Sequence, residues 1–258
     1  KKRLQLSAFL ISRWLINSTL TLAKPLPNIN TFCILYMKSK KLRYFISILI
    51  LILFSYFSYI LYQKEKIKGI WLLYQLEYKK EDKFEKTLTI QSLLNIDSSN
   101  FQYISNGGWS GTLKYSLYGS RIIFDSKENE FSSSKKMKVN SNKLVLKDYG
   151  QRENFVKISS DLKSKSNLHE LLNTKTFVVR NRNTPIDTLC FEKNKIIYKS
   201  SKNYKWLETQ YERKRLNDIE FYLSDGYLIF ILNKNKNQYY INVVNNQGEI
   251  IKYEMNEI

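Results

Sequence analysis

The stretch "KSKKLRYFISILILILFSYFSYILYQKEKIKGIW", from Lys38 to Trp71, leads from a basic flank through a long apolar run into a Gly-x-Trp sequence. Between Tyr44 and Tyr62 no side chain carries a charge. At about 1.5 Å of rise per residue, a helix of this length approaches the ~30 Å hydrocarbon thickness of a bilayer. The stretch therefore predicts a transmembrane helix over 44–62, inside an anchor segment over 37–68.

The residues at the end of the apolar run distinguish a retained anchor from a cleaved secretory signal. A secretory signal has a shorter apolar region that ends at small residues. Here the run ends in "SYFSYILYQKEK", with large aromatic residues and neither an Ala-x-Ala site nor a lipobox cysteine. We expect an uncleaved signal anchor. A cleaved signal peptide and a buried core helix are the alternatives, but a run that is apolar on every face lacks the polar stripe of a surface-packed helix.

Basic residues precede the run without any acid, whereas Glu65 interrupts the lysines that follow it. The positive-inside rule then favours a cytoplasmic amino terminus. We expect a single-pass membrane protein, anchored in a bacterial inner membrane, with the bulk of its chain outside the cytoplasm in the periplasm. Residues 1–36 are interpreted as a doubtful leader ahead of a true start at Met37, with an organellar transit peptide as the alternative.

The formal net charge of +19 suggests an anionic partner, but half of it comes from the leader and anchor. Residues 1–64 hold ten basic and no acidic side chains, which leaves 32 basic against 23 acidic side chains, a net +9, in the remainder. These basic residues form no RNP-like, zinc-finger or helix-turn-helix pattern. We therefore expect no nucleic-acid partner.

From Gly69 onward, short alternating runs rich in β-branched and aromatic residues are separated by turn-forming residues. Such spacing predicts an antiparallel barrel or sandwich. Between the two series, "SSDLKSKSNLHELLN" predicts a helix over 159–173, capped by Ser160, with one apolar side formed by Leu162, Leu168, Leu171 and Leu172. The predicted strands are 69–79, 87–94, 101–105, 111–119, 121–125, 135–140, 143–148 and 154–159, then 174–180, 187–193, 195–200, 204–212, 218–224, 227–233, 238–245 and 248–255.

Two eight-stranded units joined by a helix are the economical arrangement, because eight strands close a small barrel without exposed edges. We predict an all-β fold with one transmembrane helix and antiparallel meander β-barrels. The first β unit covers 69–158, the linking helix 159–173 and the second β unit 174–258. One larger β domain is the alternative, and the segment around 204–216 is also compatible with a helix.

Gly69-Ile70-Trp71, followed by a meander and a helix, resembles the opening of the lipocalin-like (calycin) domains. The resemblance covers 69–173 directly and extends to the second unit by analogy. It implies a cup with Trp71 packed at the closed end and an open end that admits a small apolar ligand. Gly69 and Trp71 are the structural motif residues. Arg152 is the candidate for the basic residue that covers the tryptophan in that family, and the family's Thr-Asp-Tyr motif has no counterpart.

The first predicted strand has an unexpected distribution of apolar residues. Its two faces carry Trp71, Leu73, Gln75 and Glu77 on one side and Leu72, Tyr74, Leu76 and Tyr78 on the other. The face opposite the tryptophan is the more apolar one. Either a bulge switches the faces, or that side packs against the linking helix or the second unit.

No catalytic constellation is present in the sequence. His169 is the only histidine, so a metal site is not expected. We expect this histidine to be solvated or to lie on a helix face. The sequence "GGWSGT", 107–112, lacks the final glycine of a nucleophile elbow. Cys190 is expected to be buried as a small hydrophobic residue. Acidic pairs, Glu81 with Asp82 and Glu128 with Glu130, lie among lysines in loops. We predict no catalytic residue, no metal and no cofactor, and hence no enzyme.

Two functions remain. The first is a membrane-anchored, extracytoplasmic, lipocalin-like binding protein for a small apolar or amphipathic ligand. The second is a non-enzymatic protein-interaction or envelope-structural module with filled barrels, because eight strands leave an interior that side chains can just fill. The expected partners are the membrane, through Tyr44 to Tyr62, and either a small apolar ligand or an envelope protein. The sequence does not identify the residues that would bind the small ligand or the envelope protein.

Overall fold

The structure of the protein is a computed structural model. Its described residues are 40–87, 91–105, 110–125, 134–163, 167–181, 184–192, 195–200, 206–224 and 228–258. The predictions for the leader over 1–36 and for Met37 lie outside these residues.

Helix α1, Lys40–Ile67, contains the predicted span over 44–62. Its 28 residues give a length of about 42 Å, more than the ~30 Å of a bilayer's hydrocarbon layer. Within the described part of the chain it is the one helix long and apolar enough to cross a membrane. None of its most apolar stretch is buried, whereas the helix of a protein core is mostly buried.

Seventeen strands are described after α1. The first nine are β1 Gly69–Lys80, β2 Lys83–Thr87, β3 Ser92–Ile96, β4 Asn100–Ser105, β5 Ser110–Tyr118, β6 Arg121–Asp125, β7 Ser134–Val139, β8 Lys143–Lys147 and β9 Gln151–Lys157. The remaining eight are β10 Thr176–Asn181, β11 Thr184–Glu192, β12 Lys195–Ser200, β13 Trp206–Leu216, β14 Ile219–Ser224, β15 Ile229–Asn235, β16 Gln238–Val244 and β17 Ile250–Glu257. A 3-10 turn, Ser160–Leu162, and helix α2, Leu168–Leu172, lie between the two groups.

The first nine strands form a closed antiparallel barrel with eight positions. Strand β1 pairs with β9 on one side, which closes the sheet. On its other side, β1 pairs first with β3 and then, from Leu76 onward, with β2. Strands β2 and β3 therefore occupy successive parts of one position next to β1. The predicted eight-stranded antiparallel barrel is confirmed for this unit.

The last eight strands form a second closed barrel, in which each strand pairs with its neighbours and β10 pairs with β17. The predicted all-β fold with two tandem barrels is confirmed. The helical alternative for the segment around 204–216 is wrong, because Trp206–Leu216 forms β13 between β12 and β14.

The linking segment differs from the single predicted helix. It contains the 3-10 turn and the five-residue α2, and residues 164–166 lie outside the described residues. Ser159, rather than Ser160, caps the 3-10 turn, since its hydroxyl oxygen accepts a hydrogen bond from the Asp161 N–H. Leu168 and Leu172 are buried, whereas Leu171 is 42% exposed. A helix of little more than one turn can bury only side chains four positions apart, which here are Leu168 and Leu172.

The distribution of apolar residues on β1 has two causes. Trp71 and Leu73 point into the first barrel, whereas Ile70 and Leu72 point outward into an apolar cluster shared with the second barrel. The pairing with β9 also shifts between Leu73 and Gln75, which marks a β-bulge. Both of the alternatives that the sequence left open, a bulge and packing against the second unit, are present.

The two barrels pack against each other through their outer faces. Gln91 bridges them, because its side-chain oxygen accepts from the Ile229 N–H at 2.7 Å and its Nε2 donates to the Val244 carbonyl at 3.1 Å. The cluster between the barrels contains Ile70, Leu72, Leu93, Ile104, Val156, Ile158 and Leu162, with Ile219, Phe221, Leu223, Ile229, Ile231 and Val244 from the second barrel. At the edge of this interface, a side chain at Gly248 would come within 2.7 Å of the Tyr74 ring.

Candidate functional site

The closed end of the first barrel is built around Trp71. The indole is fully buried, and its Nε1 donates to the Ile67 carbonyl oxygen at 2.7 Å. That carbonyl belongs to the last turn of α1, where helical carbonyls have no partner within the helix. Trp71 therefore both fills the end of the barrel and satisfies the end of the helix.

Lys157 covers this tryptophan. It lies opposite Trp71 in the pairing of β1 with β9, and its Nζ is 5.2 Å from the centre of the Trp71 ring. The same Nζ donates to the Lys66 carbonyl at 3.2 Å. Gly69, with φ +125°, allows this approach, because a Cβ there would lie 3.1 Å from Lys157 Cε. A cation on an aromatic face and at a helix carboxyl end is favourable in both respects.

Arg152, the candidate from the sequence, does not cover Trp71. Its Nη1 donates to Glu77 Oε2 at 2.7 Å, and its guanidinium lies 4.3 Å from the centre of the Phe84 ring. Sequence reasoning missed Lys157. The signal that could have found it is the antiparallel pairing of the last strand of the unit with the first, which places Lys157 opposite Trp71.

Lys157 is a cation without an ionic partner. It forms no ion pair with any carboxylate of the described residues, and Glu65, the residue before Lys66, pairs with Lys68 at 2.5 Å. Partial burial lowers the pKa of Lys157 below its ordinary value. Removing water from a charge is unfavourable unless another group replaces that water, so an anion at this position would be stabilised.

An open cleft of about 640 Å³ lies beside Lys157, between the barrels. Its volume is in the range of small-molecule sites, but its lining is more polar than most. The lining comes from the closed end of the first barrel, the β7–β8 turn, the linking segment and the β13–β14 turn. The polar lining residues are Ser141, Asn142, Lys157, Ser159, Ser160, Lys163, Asn217 and Asp218.

The β13–β14 turn forms the wall of the cleft that belongs to the second barrel. Asn217 and Asp218 have φ values of +49° and +65°, the left-handed conformation that Asn and Asp tolerate in two-residue hairpin turns. The Asp218 carboxylate lies 3.7 Å from Arg215 Nη2. The charge of this one lining carboxylate is therefore offset by its own barrel.

The interior of the first barrel is filled by side chains. Phe101 and Phe124 meet edge to face, with ring centres 4.9 Å apart. The buried side chains of this interior cluster, together with Ile67 of α1, are Trp71, Leu73, Leu94, Ile96, Phe101, Tyr115, Leu117, Ile122, Phe124, Met137, Leu144, Leu146 and Phe155. Such a cluster has the character of a packed protein core.

The interior of the second barrel is also filled, with α2 as part of the filling. Tyr222 and Phe230 stack with ring centres 5.0 Å apart. The buried members of this cluster are Leu168 and Leu172 of α2 with Phe177, Val179, Leu189, Phe191, Ile196, Tyr211, Tyr222, Phe230, Leu232 and Met255. Phe177 is fully buried where the second unit lacks a Gly-x-Trp sequence.

Each barrel contains buried polar side chains that are bonded to one another. In the first, Lys135 Nζ lies 2.7 Å from Glu153 Oε1, which also accepts from Gln151 Nε2 at 2.9 Å. In the second, Glu220 is only 1% exposed and accepts from the Tyr222 hydroxyl at 3.1 Å. These carboxylates are already bonded within their own barrels and are therefore not available to a ligand.

His169 lies on α2 in contact with aromatic residues rather than in solvent. Its Nδ1 is 3.1 Å from the Tyr211 hydroxyl, and its ring meets the Tyr211 ring edge to face. Burial and the charge of Arg213 lower the pKa of His169, while burial raises the pKa of Tyr211 to about 12. No group of three or more metal-ligating side chains occurs within the described ranges.

The other candidates from the sequence form no site. Cys190 is half-buried and unpaired, and Glu81 and Asp82 lie in the exposed β1–β2 turn. Glu128 and Glu130 lie outside the described residues, as do positions 107–109 of "GGWSGT". In comparisons with known proteins, no family model, no curated protein and no solved structure matches this chain.

Proposed function

We propose that the protein is a membrane-anchored, non-enzymatic interaction module of the bacterial envelope, in which two filled, lipocalin-like barrels are held outside the cytoplasm. The observation that carries this proposal is the filling of both interiors by contacting, buried side chains. A barrel that stores an apolar ligand needs an interior without such filling. Recognition is then expected on outer surfaces rather than inside a cup.

The first barrel's closed end supports the lipocalin-like part of the proposal. A tryptophan at the start of β1, packed in the barrel and covered by a cation from the last strand, is the arrangement that the Gly-x-Trp resemblance implies. The exposed apolar surface of α1 supports the anchor, since a bilayer is the medium in which such a surface is stable.

A fluorescent fatty-acid titration of the full chain in detergent tests whether the barrels are filled. We expect no saturable binding to the wild-type protein. Leu144→Ala, which removes a fully buried interior side chain, is the matched control, because its cavity is about the size of benzene and too small for a fatty acid, so it too should show no saturable binding. Stoichiometric binding by the wild-type chain, reduced by a bulkier residue inside a barrel, would contradict the proposal and favour ligand storage.

The second candidate function is binding of a small amphipathic ligand, and the cleft between the barrels favours it. The cleft has an adequate volume and combines lysine and hydroxyl groups with Ile70 and Ile219. Such a ligand would lie between the barrels instead of inside one. The fatty-acid titration separates the two locations, since a bulkier residue inside a barrel would leave binding in the cleft unchanged.

A further inference from the structure

We propose that the cleft between the barrels binds a phosphate-bearing anion, and that in the anchored protein this anion is the headgroup of an anionic phospholipid. The lipid part of the inference rests on the proposed membrane anchoring. The anion part rests on the cleft alone.

The first argument is the charge of Lys157. This ammonium group is half-buried, lines the cleft and lacks a carboxylate partner among the described residues. Its one hydrogen bond goes to the Lys66 carbonyl, which leaves N–H donors for another acceptor. The second lysine of the cleft, Lys163, is exposed and forms no ion pair with the described residues.

The second argument is the set of donors near these lysines. The hydroxyl of Ser159 accepts from the Asp161 N–H, so its own hydrogen is available to donate. The side chains of Ser141, Asn142 and Ser160 form no hydrogen bond with other described residues and line the same cleft. A phosphate group carries acceptor oxygens only and is bound most strongly by such donors together with a cation.

The third argument is the short distance along the chain from the predicted span. Tyr62 ends the span, and five further residues of helix lead to Ile67, a rise of about 8 Å. The headgroup layer on each side of a bilayer is roughly 5–8 Å thick. Lys66, whose carbonyl contacts Lys157, therefore lies at the depth of phospholipid headgroups when the helix spans a membrane.

Native mass spectrometry of the full chain, released from nanodiscs of phosphatidylcholine with or without phosphatidylglycerol, tests the inference. We expect one phosphatidylglycerol to be retained by the wild-type protein. Lys157→Gln should reduce this retention about tenfold, the effect of losing one charge-assisted hydrogen bond. Lys157→Arg should restore much of it, which separates loss of the cation from loss of folding.

Lys136→Gln is the matched control, because Lys136 is exposed on β7, outside the cleft, and its substitution removes the same charge. An equal loss of retention in Lys136→Gln and Lys157→Gln would overturn the inference, since it would indicate general attraction of a basic surface. Equal retention by the wild-type and Lys157→Gln proteins would overturn it too.

A second arm identifies the source of the phosphate. The full chain in neutral detergent is titrated with glycerol phosphate and followed by calorimetry. Binding that depends on Lys157 supports an anion site that also accepts a soluble phosphate ester, and retention of lipid without this binding supports the headgroup. Failure of the chain to enter nanodiscs would contradict the proposed anchor, whereas the absence of both lipid retention and glycerol phosphate binding would overturn the cleft site.

Discussion

The two barrels have the same number of strand positions, eight, and the same meander order, but they are completed in different ways. The first contains Trp71, which is bonded to α1 and covered by Lys157. The second contains Leu168 and Leu172 of α2, and Phe177 near the start of its first strand. One architecture therefore admits two solutions to the same problem, which is how to fill the interior of a small barrel.

Removing the aromatic anchor of the first barrel should give the largest effect. We expect Trp71→Ala to lower the free energy of unfolding by about 3–5 kcal/mol, because it deletes a fully buried aromatic side chain. Urea denaturation of the full chain, followed by circular dichroism, measures this. Trp71→Phe is the control and should cost less, since it loses the bond to the Ile67 carbonyl but keeps most of the volume. A loss below about 1 kcal/mol in Trp71→Ala would contradict the role of Trp71 as the anchor.

The equivalent test in the second barrel is Leu172→Ala. Because Leu172 is buried in the interior cluster, we expect a loss of about 2–5 kcal/mol in the free energy of unfolding. Leu171→Ala, on the exposed side of the same short helix, should change it by less than about 0.5 kcal/mol. Equal effects of the two substitutions would mean that α2 does not complete the second barrel.

The bridge between the barrels should contribute less than either anchor. Gln91→Ala leaves the buried Ile229 N–H without its acceptor, so we expect a loss of about 1–3 kcal/mol. Gln247→Ala is the control, because the bonds of Gln247 to neighbouring residues use its backbone and its side chain is exposed. A denaturation curve of Gln91→Ala that matches the control would indicate that the two barrels are stable independently of this bridge.

The smallest expected effect is a pH dependence specific to the second barrel. Since the pKa of His169 is lowered on folding, the unfolded chain binds more protons between that lowered value and about 6.5. Stability should therefore fall as the pH drops through this window, by less than about 1 kcal/mol because the ring is partly solvated. Urea midpoints at pH 7.5 and 5.0 should differ less in His169→Gln than in the wild-type protein. A larger difference in the variant would contradict the assignment.

The strands were predictable because their information is local. Alternating residues between turn-formers place fifteen of the sixteen predicted strands within a few residues of where the structure has them, and the apolar run places α1. The predicted strand over 87–94 is wrong, because it falls across the break between β2, which ends at Thr87, and β3, which begins at Ser92. The features that the sequence could not predict depend on contacts between residues far apart in the chain. Lys157 is identified only once β9 pairs with β1, and Gln91 only once two barrels meet.

The cleft illustrates the same limit. Its serines and lysines come from separate segments that each look like ordinary polar turns in the sequence. Only the pairing of β1 with β9 and the packing of the two barrels bring them together. The faces of β1 were an intermediate case, since the sequence showed the surplus of apolar residues but not which of two explanations applied.

The apolar interface between the barrels also has a consequence for biosynthesis. The first barrel can close once Lys157 has been made, whereas Ile231 of the second barrel follows 74 residues later. At a translation rate of roughly 5–20 residues per second, the outer face with Ile70 and Leu72 then stays exposed for several seconds before the second barrel can pack against it. Nascent chains stalled shortly after the linking segment should therefore depend on chaperones more than the completed protein does.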